Sequence, residues 1–219
     1  MAEKQRACST DNLYSFDKKF MQQNGIGSLC AIDEAGRGPL AGPVVAASVI
    51  LDYDNTVDKI NDSKKLSEKI REELFPLIKE RALCWSVGIA TVQEIDKFNI
   101  LQATFMAMCR ALQGLESQAD MVLVDGNKKI RGYRSDLQQT LVKGDSLSAG
   151  VAAASVLAKV TRDRIMRQYH EQYEIYNFDK NKGYGTAAHI KKIEINGLSP
   201  VHRRTFCDHF FIQTSLDLK

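Results

Sequence analysis

The stretch Cys30-Ala31-Ile32-Asp33-Glu34-Ala35-Gly36-Arg37-Gly38-Pro39-Leu40-Ala41-Gly42-Pro43 organises the interpretation of the whole chain. An apolar lead runs into two adjacent carboxylates, and a turn-forming segment of glycine and proline follows. Neighbouring side chains of a strand point to opposite faces, so Asp33 and Glu34 are expected to converge on one site only if the strand ends or bulges there. The glycines after them supply such an irregularity and let backbone groups approach a ligand. The alternative interpretation is a strand that ends in a solvated acidic turn.

Apolar runs elsewhere predict the other strands. Residues 28–33 and 44–51 are predicted to form an antiparallel pair with an elaborate connection, because the second run is β-branched and almost continuously apolar. The short apolar run 121–124 follows a predicted helix and ends at Asp125, which favours a parallel strand whose carboxyl end faces a ligand. Two further strands are predicted over residues 84–91 and 139–142.

Capping residues and helical spacing predict five helices. The first is a short helix through Leu13, Phe16 and Phe20 that lies on the body of the protein. The starts predicted for the others are Ser67, with Pro76 kinking or shortening that helix; Asn99, with Gln102 three residues on; Asp145 or Ser146, before a long alanine-rich helix; and Thr186, with a stop at Gly197.

Composition limits the class of protein. With 219 residues the chain can form one core plus a small appended part, and its net charge of +3 does not by itself indicate a nucleic-acid binder. Lysine and arginine nevertheless dominate residues 176–206. The 5 cysteines are widely spaced, which favours reduced thiols in an intracellular protein. No apolar run is long enough to span a bilayer and the N-terminus lacks a secretory signal, so a cytoplasmic protein without membrane contact is expected.

Four acids are predicted at the ends of elements: Asp33, Glu34, Asp125 and Asp145. Taken singly, Asp145 is more often a helix cap, and Asp125 before glycine is compatible with an ordinary turn. Together, carboxylates at one sheet edge repel one another unless they bind a cation or take up protons. Oxygen ligands without matching histidine or cysteine favour Mg²⁺ or Mn²⁺, and two such ions about 4 Å apart suit phosphodiester cleavage.

Six ordered motifs also carry a resemblance to a known family. They are residues 33–47 (DEAGRGPLAGPVVAA), 62–66 (DSKKL), 124–126 (VDG), 143–145 (KGD), 152–163 (AAASVLAKVTRD) and 182–186 (KGYGT). In this order they resemble the motifs of type 2 ribonuclease H, ribonuclease HII. The resemblance covers about residues 28–210 and leaves the first 25 or so residues outside.

The resemblance implies an α/β protein of the ribonuclease H fold, with a mixed five-stranded sheet flanked by helices and a small helical C-terminal extension. The expected division is a peripheral segment 1–26, a catalytic domain 27–175 and an extension 176–219 that contacts nucleic acid. The implied activity is metal-dependent cleavage of RNA in RNA/DNA hybrids and of DNA duplexes on the 5′ side of an embedded ribonucleotide. This cleavage leaves 3′-hydroxyl and 5′-phosphate ends. A monomer is expected.

The resemblance also implies roles for individual residues. The four acids would bind two divalent ions, Mn²⁺ or Mg²⁺. Backbone groups of Gly36, Arg37 and Gly38 would contact the ribose 2′-hydroxyl, which agrees with that group being the mark of RNA. Tyr184 would pack on the neighbouring deoxyribose; taken alone it is equally a surface-anchoring tyrosine. The candidate phosphate contacts are Arg37, Lys64, Lys65, Lys143 and Lys182.

Some residues and functions stay outside this assignment. Asp163 matches a family position but is interpreted as a surface ion-pair residue on the long helix, and the four histidines have no partner at ligand spacing. A binder that kept the fold but lost turnover is disfavoured by the four acids, since it gains nothing from placing them beside a phosphate. A junction resolvase on the same fold is disfavoured by the Gly36-Arg37-Gly38 and Tyr184 segments.

Overall fold

The computed structural model describes residues 2–208, with side chains from residue 10 onward. Its elements, in chain order, are α1 (Ala2–Asn24), β1 (Leu29–Ala35), β2 (Val44–Leu51), α2 (Glu68–Arg81), β3 (Ala82–Ala90), α3 (Val92–Gln113), β4 (Met121–Asp125), β5 (Gln138–Leu141), α4 (Ala149–Gln172), α5 (Phe178–Asn181), α6 (Ala187–Asn196) and α7 (Arg204–Cys207). Short 3₁₀ turns lie at Ser135–Leu137, Gly144–Ser146 and Glu174–Tyr176. None of the described helices is both long and apolar enough to cross a membrane.

The five strands form one mixed sheet in the order β3-β2-β1-β4-β5. β1 pairs antiparallel with β2, as predicted, and parallel with β4. β4 in turn pairs parallel with β5. Because β1, β4 and β5 run in the same direction, their carboxyl ends meet at one edge of the sheet, and this edge collects the acids.

The core has one layer on each face of the sheet. Helices α1, α2 and α4 cover one face, and α3 covers the other. The N-terminal helix contributes Leu13, Tyr14 and Phe20 to the first layer. It is longer than the short helix predicted, and this packing differs from the expectation that residues 1–26 lie at the periphery.

Two of the predicted helix starts are observed. Ser67 caps α2 by accepting a hydrogen bond from the Ile70 N–H, and Thr186 caps α6, which ends at Gly197 as expected. Pro76 was predicted to kink or shorten α2; it lies inside the helix, which continues to Arg81, so the helix is not shortened at the proline.

The remaining starts differ from the predictions. α3 begins at Val92 and not after the predicted cap Asn99; its start is a capping box made by Thr91 and Glu94. Asn99 has φ 67° and ψ 164° inside α3, and its side chain caps the second half, where the sequence places it. α4 is capped by Ser148, so Asp145 and Ser146 are not its cap. Asp145 lies instead in the preceding 3₁₀ turn, which frees its carboxylate for the sheet edge.

A third apolar cluster joins the C-terminal helices to the body of the protein. It consists of Ala41, Met166, Tyr176, Phe178, Ile193 and Cys207. Ala41 also forms an isolated antiparallel bridge with His202. The described part of the predicted extension, residues 176–208, therefore packs against the loop that follows β1; residues 209–219 lie outside the described part.

Candidate active site

The sheet register places the first and third acids side by side. Ile32 of β1 pairs with Val124 of β4, so Asp33 and Asp125 occupy equivalent positions at the carboxyl ends of neighbouring parallel strands. The strand neither ends nor bulges at the acids, contrary to the prediction, because β1 continues in regular register to Ala35. The backbone irregularity begins one residue later, at Gly36, where φ is 98°.

Asp33 is the most deeply buried of the four acids, with 5% of its surface exposed. Its Oδ1 accepts the backbone N–H of Glu34 at 2.7 Å, and the nearby Ser155 side chain partly offsets the rise in the pKa of Asp33. Ser155 is held in turn by Ser63, whose Oγ lies 2.6 Å from the Ser155 Oγ. Burial raises the pKa of Asp33 well above its ordinary value, and the charges of Glu34 and Asp125 raise it further.

A hydrogen bond to Asp125 positions the turn that contains the fourth acid, Asp145. Its Oδ1 accepts the Gly144 N–H at 2.8 Å, which carries the 3₁₀ turn containing Asp145 to the end of β4. The pKa of Asp145 is raised by burial and by the charges of Asp62 and Asp125. The four predicted acids thus form one electrostatic cluster, extended by Asp62.

Arg37 and two lysines balance part of this negative charge. The Arg37 Nη1 lies 3.2 Å from the Glu34 Oε1, but burial outweighs it and leaves the pKa of Glu34 raised. Lys64 extends its Nζ to 3.6 Å from the Asp145 Oδ2 while most of its side chain stays exposed. Burial lowers the pKa of Lys64, but Asp145 and the other acids raise it more. Lys65 pairs with Asp62 at 3.8 Å instead.

The acid cluster fits divalent cations that are held partly by substrate. All four acids offer oxygen, the donor that Mg²⁺ and Mn²⁺ prefer, and the raised pKa values of Asp33, Glu34 and Asp145 show that the site holds its charge at a cost. Within the described residues, no group of three or more Asp, Glu, His or Cys side chains is arranged so that it could hold a metal ion by itself. Mg²⁺ is commonly bound through one or two carboxylates, with substrate phosphates and water completing its coordination.

The loop of residues 36–43 and Tyr184 form one surface beside the acids. A Cβ on Gly38 would come within 4.0 Å of the Tyr184 Cε1, and the Leu40 N–H donates to the Gly183 oxygen at 2.8 Å. Tyr184 is 44% exposed, so its ring is available for contact. Lys143 is exposed next to Asp145, with a left-handed backbone at φ 58°.

Several residues of the site region were missed from the sequence. The motif at residues 62–66 was noted, but no role was given to Asp62, which faces Asp145, or to Ser63, which supports Ser155. Asp163 was expected in a surface ion pair, whereas it is 2% exposed and pairs with Lys159 at 2.7 Å. A serine or aspartate inside a polar motif carries no sequence signal that distinguishes a buried partner from a solvated one.

Two histidines were also interpreted as isolated, but the structure pairs them. The His189 and His202 Nε2 atoms lie 3.0 Å apart beneath Tyr184. His202 Nδ1 accepts the Ser199 N–H at 2.9 Å, and His189 Nδ1 lies 2.8 Å from the Tyr184 carbonyl oxygen. This chain is fully bonded only if His202 donates from Nε2 and His189 from Nδ1, so both rings are neutral. Burial accordingly lowers the pKa of His202 to about 4 and also lowers that of His189.

Comparison with known proteins agrees with this geometry. The family model of ribonuclease HII matches residues 30–209. A ribonuclease HII of Endomicrobium trichonymphae is 51% identical over 209 residues, which cover 94% of this chain and 99% of that protein.

Solved structures show the same fold at lower identity. The crystal structure of ribonuclease H2 from Pyrococcus horikoshii OT3 has a TM-score of 0.67 and 24% identity, over 88% of this chain and 100% of that one. Bst-RNase HIII in complex with Mn²⁺ has a TM-score of 0.62 and 18% identity, over 78% of this chain and 63% of that one. The family match, the close relative and the shared fold establish that this chain belongs to the ribonuclease HII family and is an endoribonuclease.

Proposed function

We propose that this ribonuclease H, which acts on RNA/DNA hybrids, also cleaves duplex DNA on the 5′ side of a single embedded ribonucleotide. The products are 3′-hydroxyl and 5′-phosphate ends. The observation that carries the proposal is that the Gly36-Arg37-Gly38 segment follows Asp33 and Glu34 directly in the chain and that Gly38 of this segment lies against Tyr184. A site that cut phosphodiesters without regard to the sugar would not need a surface for contacting ribose next to its carboxylates.

In this proposal, Asp33, Glu34, Asp125 and Asp145 hold two divalent ions, Mg²⁺ or Mn²⁺. The oxygen-only donor set supports this, as does the Mn²⁺ complex of the related RNase HIII. When bound, such ions supply an activated water and stabilise the departing 3′ oxygen.

The side chains of the protein prepare these acids for that task. The Glu34 N–H holds Asp33 in one orientation, with Ser155 and its partner Ser63 nearby, and the Gly144 N–H does the same for Asp125. Lys64 lies close enough to Asp145 to offset its charge and exposed enough to reach a substrate phosphate. Holding the carboxylates in place before substrate arrives lowers the reorganisation needed during the reaction.

Substrate recognition is divided between ribose and phosphate. Backbone groups of Gly36, Arg37 and Gly38 contact the 2′-hydroxyl, which distinguishes a ribonucleotide from its neighbours. The exposed Tyr184 ring packs on the next deoxyribose and so detects the RNA-to-DNA junction. The phosphate contacts proposed are Arg37, Lys64, Lys65, Lys143 and Lys182.

The setting of the reaction is also part of the proposal. The chain acts as a cytoplasmic monomer, with residues 27–175 as its catalytic domain. Residues 176–219 form the extension that contacts nucleic acid. The exposed lysines of this segment, Lys180, Lys191 and Lys192, support this, because exposed cations can neutralise a phosphate backbone.

Cleavage of a labelled DNA duplex with one ribonucleotide tests this function. With Mg²⁺ or Mn²⁺ the parent should cut once, on the 5′ side of the ribonucleotide, and a chelator should abolish the cut. Asp125→Asn should lose at least about 1000-fold in rate, equivalent to about 4 kcal/mol of activation free energy. Asp136→Asn is the matched control, since Asp136 is an exposed residue paired with Arg134. Tight binding without cleavage by the parent would refute the proposal and identify a non-catalytic binder.

A further inference from the structure

Two arginines in the described core have unusual surroundings for charged groups. Arg162 of α4 and Arg203, just before α7, are both fully buried. The acids near them are engaged elsewhere: Asp163 bonds to Lys159, and Asp96 accepts the backbone N–H groups at the start of α7. Burying two cations without carboxylate partners is costly, so their retention calls for an explanation other than fold stability.

Both guanidinium groups bond to backbone carbonyl oxygens, and nearly all of these belong to one loop. Arg162 donates to the oxygens of Ala41, Pro43 and Lys182, each at 3.0 Å. Arg203 donates to the oxygens of Gly36, Arg37, Gly42 and Pro43, at distances from 2.5 to 3.3 Å. The planar fork of arginine suits such multiple bonding, which lysine cannot reproduce.

This bonding decides which backbone groups of the loop face outward. The carbonyl oxygens of residues 36, 37 and 41–43 point inward to the two arginines. Arg37 and Gly38 are exposed, and within residues 2–208 their N–H groups have no acceptor. Two exposed N–H groups without acceptors in that part of the chain, on a loop held by two buried positive charges, are suited to bind an electronegative oxygen.

Arg162 also joins this loop to Tyr184. Its Cζ lies 5.9 Å from the centre of the Tyr184 ring, and it bonds to the carbonyl of Lys182, two residues earlier. A Cβ on Gly36 would approach the Arg162 Nε to 2.0 Å, so the loop lies directly on the guanidinium. The two parts of the ribose-reading surface therefore share one support.

We propose that Arg162 and Arg203 are positioning residues that hold residues 36–43 in the shape that reads a ribose 2′-hydroxyl and keep that loop in register with Tyr184. The proposal rests on the function proposed above and assigns ribose discrimination to two side chains that touch no substrate. Burial and the second guanidinium lower the pKa of Arg203 to about 9, which leaves it charged at neutral pH.

The test measures binding of two duplexes that differ only in one 2′-hydroxyl. Binding is measured with Mg²⁺ in an Asp125→Asn background, so that neither duplex is cut. The dissociation constant of the all-DNA duplex, divided by that of the duplex with the 2′-hydroxyl, isolates the contribution of the hydroxyl. Thermal unfolding followed by circular dichroism gives the folded fraction, and both constants are calculated per folded molecule. A loss of stability alone does not change this ratio.

Arg203→Lys should reduce the ratio by about tenfold, since it keeps the charge but loses most of the carbonyl bonds. Arg162→Lys should reduce it as well and serves as the second variant if the first does not fold. Arg204→Lys and Arg164→Lys are the matched controls, because both arginines are exposed and lie close in sequence to Arg203 and Arg162, the two arginines that clamp residues 36–43. A folded Arg203→Lys or Arg162→Lys protein with an unchanged ratio overturns the proposal.

Hydrogen exchange in the unmodified protein gives an independent check. The Nε–H groups of Arg162 and Arg203 should exchange at least about 100-fold more slowly than those of Arg164 and Arg204, because they are buried and bonded. Equal exchange rates would show that the clamp does not exist in solution. If the protein with both arginines binds the two duplexes equally while the Nε–H groups of Arg162 and Arg203 exchange slowly, recognition of the 2′-hydroxyl is refuted. The support of residues 36–43 by the two arginines would still stand.

Discussion

Asp17, on α1, is a buried carboxylate outside the acid cluster of the sheet edge. Its Oδ2 accepts the Gly150 N–H at 2.9 Å and the Tyr53 hydroxyl at 3.1 Å, while its Oδ1 has no hydrogen-bond partner among the described residues. Burial raises the pKa of Asp17 to about 6. The folded protein therefore binds a proton at this position more tightly than the unfolded chain does, so ionisation of Asp17 opposes folding.

The pH dependence of stability should reveal this residue. As the pH rises from 4 to 6, the free energy of unfolding of the parent should fall relative to that of Asp17→Asn, by up to about 3 kcal/mol in total. Above pH 7 the difference between the two proteins should stay constant. Urea unfolding of both proteins from pH 4 to pH 8 measures this. Asp11→Asn, an exposed change on the same helix, should show no such trend. A difference between parent and Asp17→Asn that does not vary with pH would contradict the assignment.

At the scale of elements, the contact between β3 and α3 depends on one glycine. A Cβ on Gly88 would approach the Ala107 carbonyl oxygen to 2.0 Å and the Ala111 nitrogen to 2.5 Å. Both atoms belong to helix backbone, which cannot move aside as a flexible side chain can. The strand and the helix therefore approach as closely as their backbones permit.

Gly88→Ala should separate β3 from α3 and lower the free energy of unfolding by about 3 kcal/mol. Chemical denaturation monitored by the fluorescence of Trp85, which lies on the same strand, is a suitable measurement. The control is Gly27→Ala, where the nearest atom is 3.5 Å from the added Cβ, and its effect should stay within about 0.5 kcal/mol. Similar stabilities of the two variants would show that the sheet and helix have more freedom than the structure indicates.

At the scale of the whole molecule, the N-terminal helix is part of the core. Leu13, Tyr14 and Phe20 are buried against the layer formed by α2 and α4. The Tyr14 hydroxyl also accepts the Val57 N–H at 2.9 Å, which ties α1 to the segment after β2. Removing this helix would expose apolar side chains on the face of the sheet that α2 and α4 also cover.

Phe20→Ala should cost about 3 kcal/mol, and deletion of residues 1–26 should cost more, because three buried side chains are lost together. Lys19→Ala, an exposed neighbour, is the control and should be nearly neutral. Thermal unfolding of the three variants provides the comparison. A deletion variant that melts at the parental temperature would show that α1 is peripheral after all.

Much of the fold follows from local patterns in the chain. Apolar runs predicted all five strands, and the caps Ser67, Thr186 and Asn99 were correctly placed, because strand pairing and capping depend on residues close in sequence. The starts of α3 and α4 were misplaced for the same reason. Thr91 and Ser148 are also good caps, and local signals do not decide between competing caps a few residues apart.

The sequence by itself indicated the class of the protein and predicted four acids near one sheet edge, since carboxylates close to the ends of apolar runs mark where charge is expected to gather. Only the tertiary structure decided how that charge and the reading loop are supported. Arg162, Arg203 and the His189–His202 pair look like surface residues in the sequence, yet they are buried and bonded across more than one element. The physical reason is that burial of a polar group depends on what packs over it, and segments more than 100 residues apart supply that cover for Arg162 and Arg203.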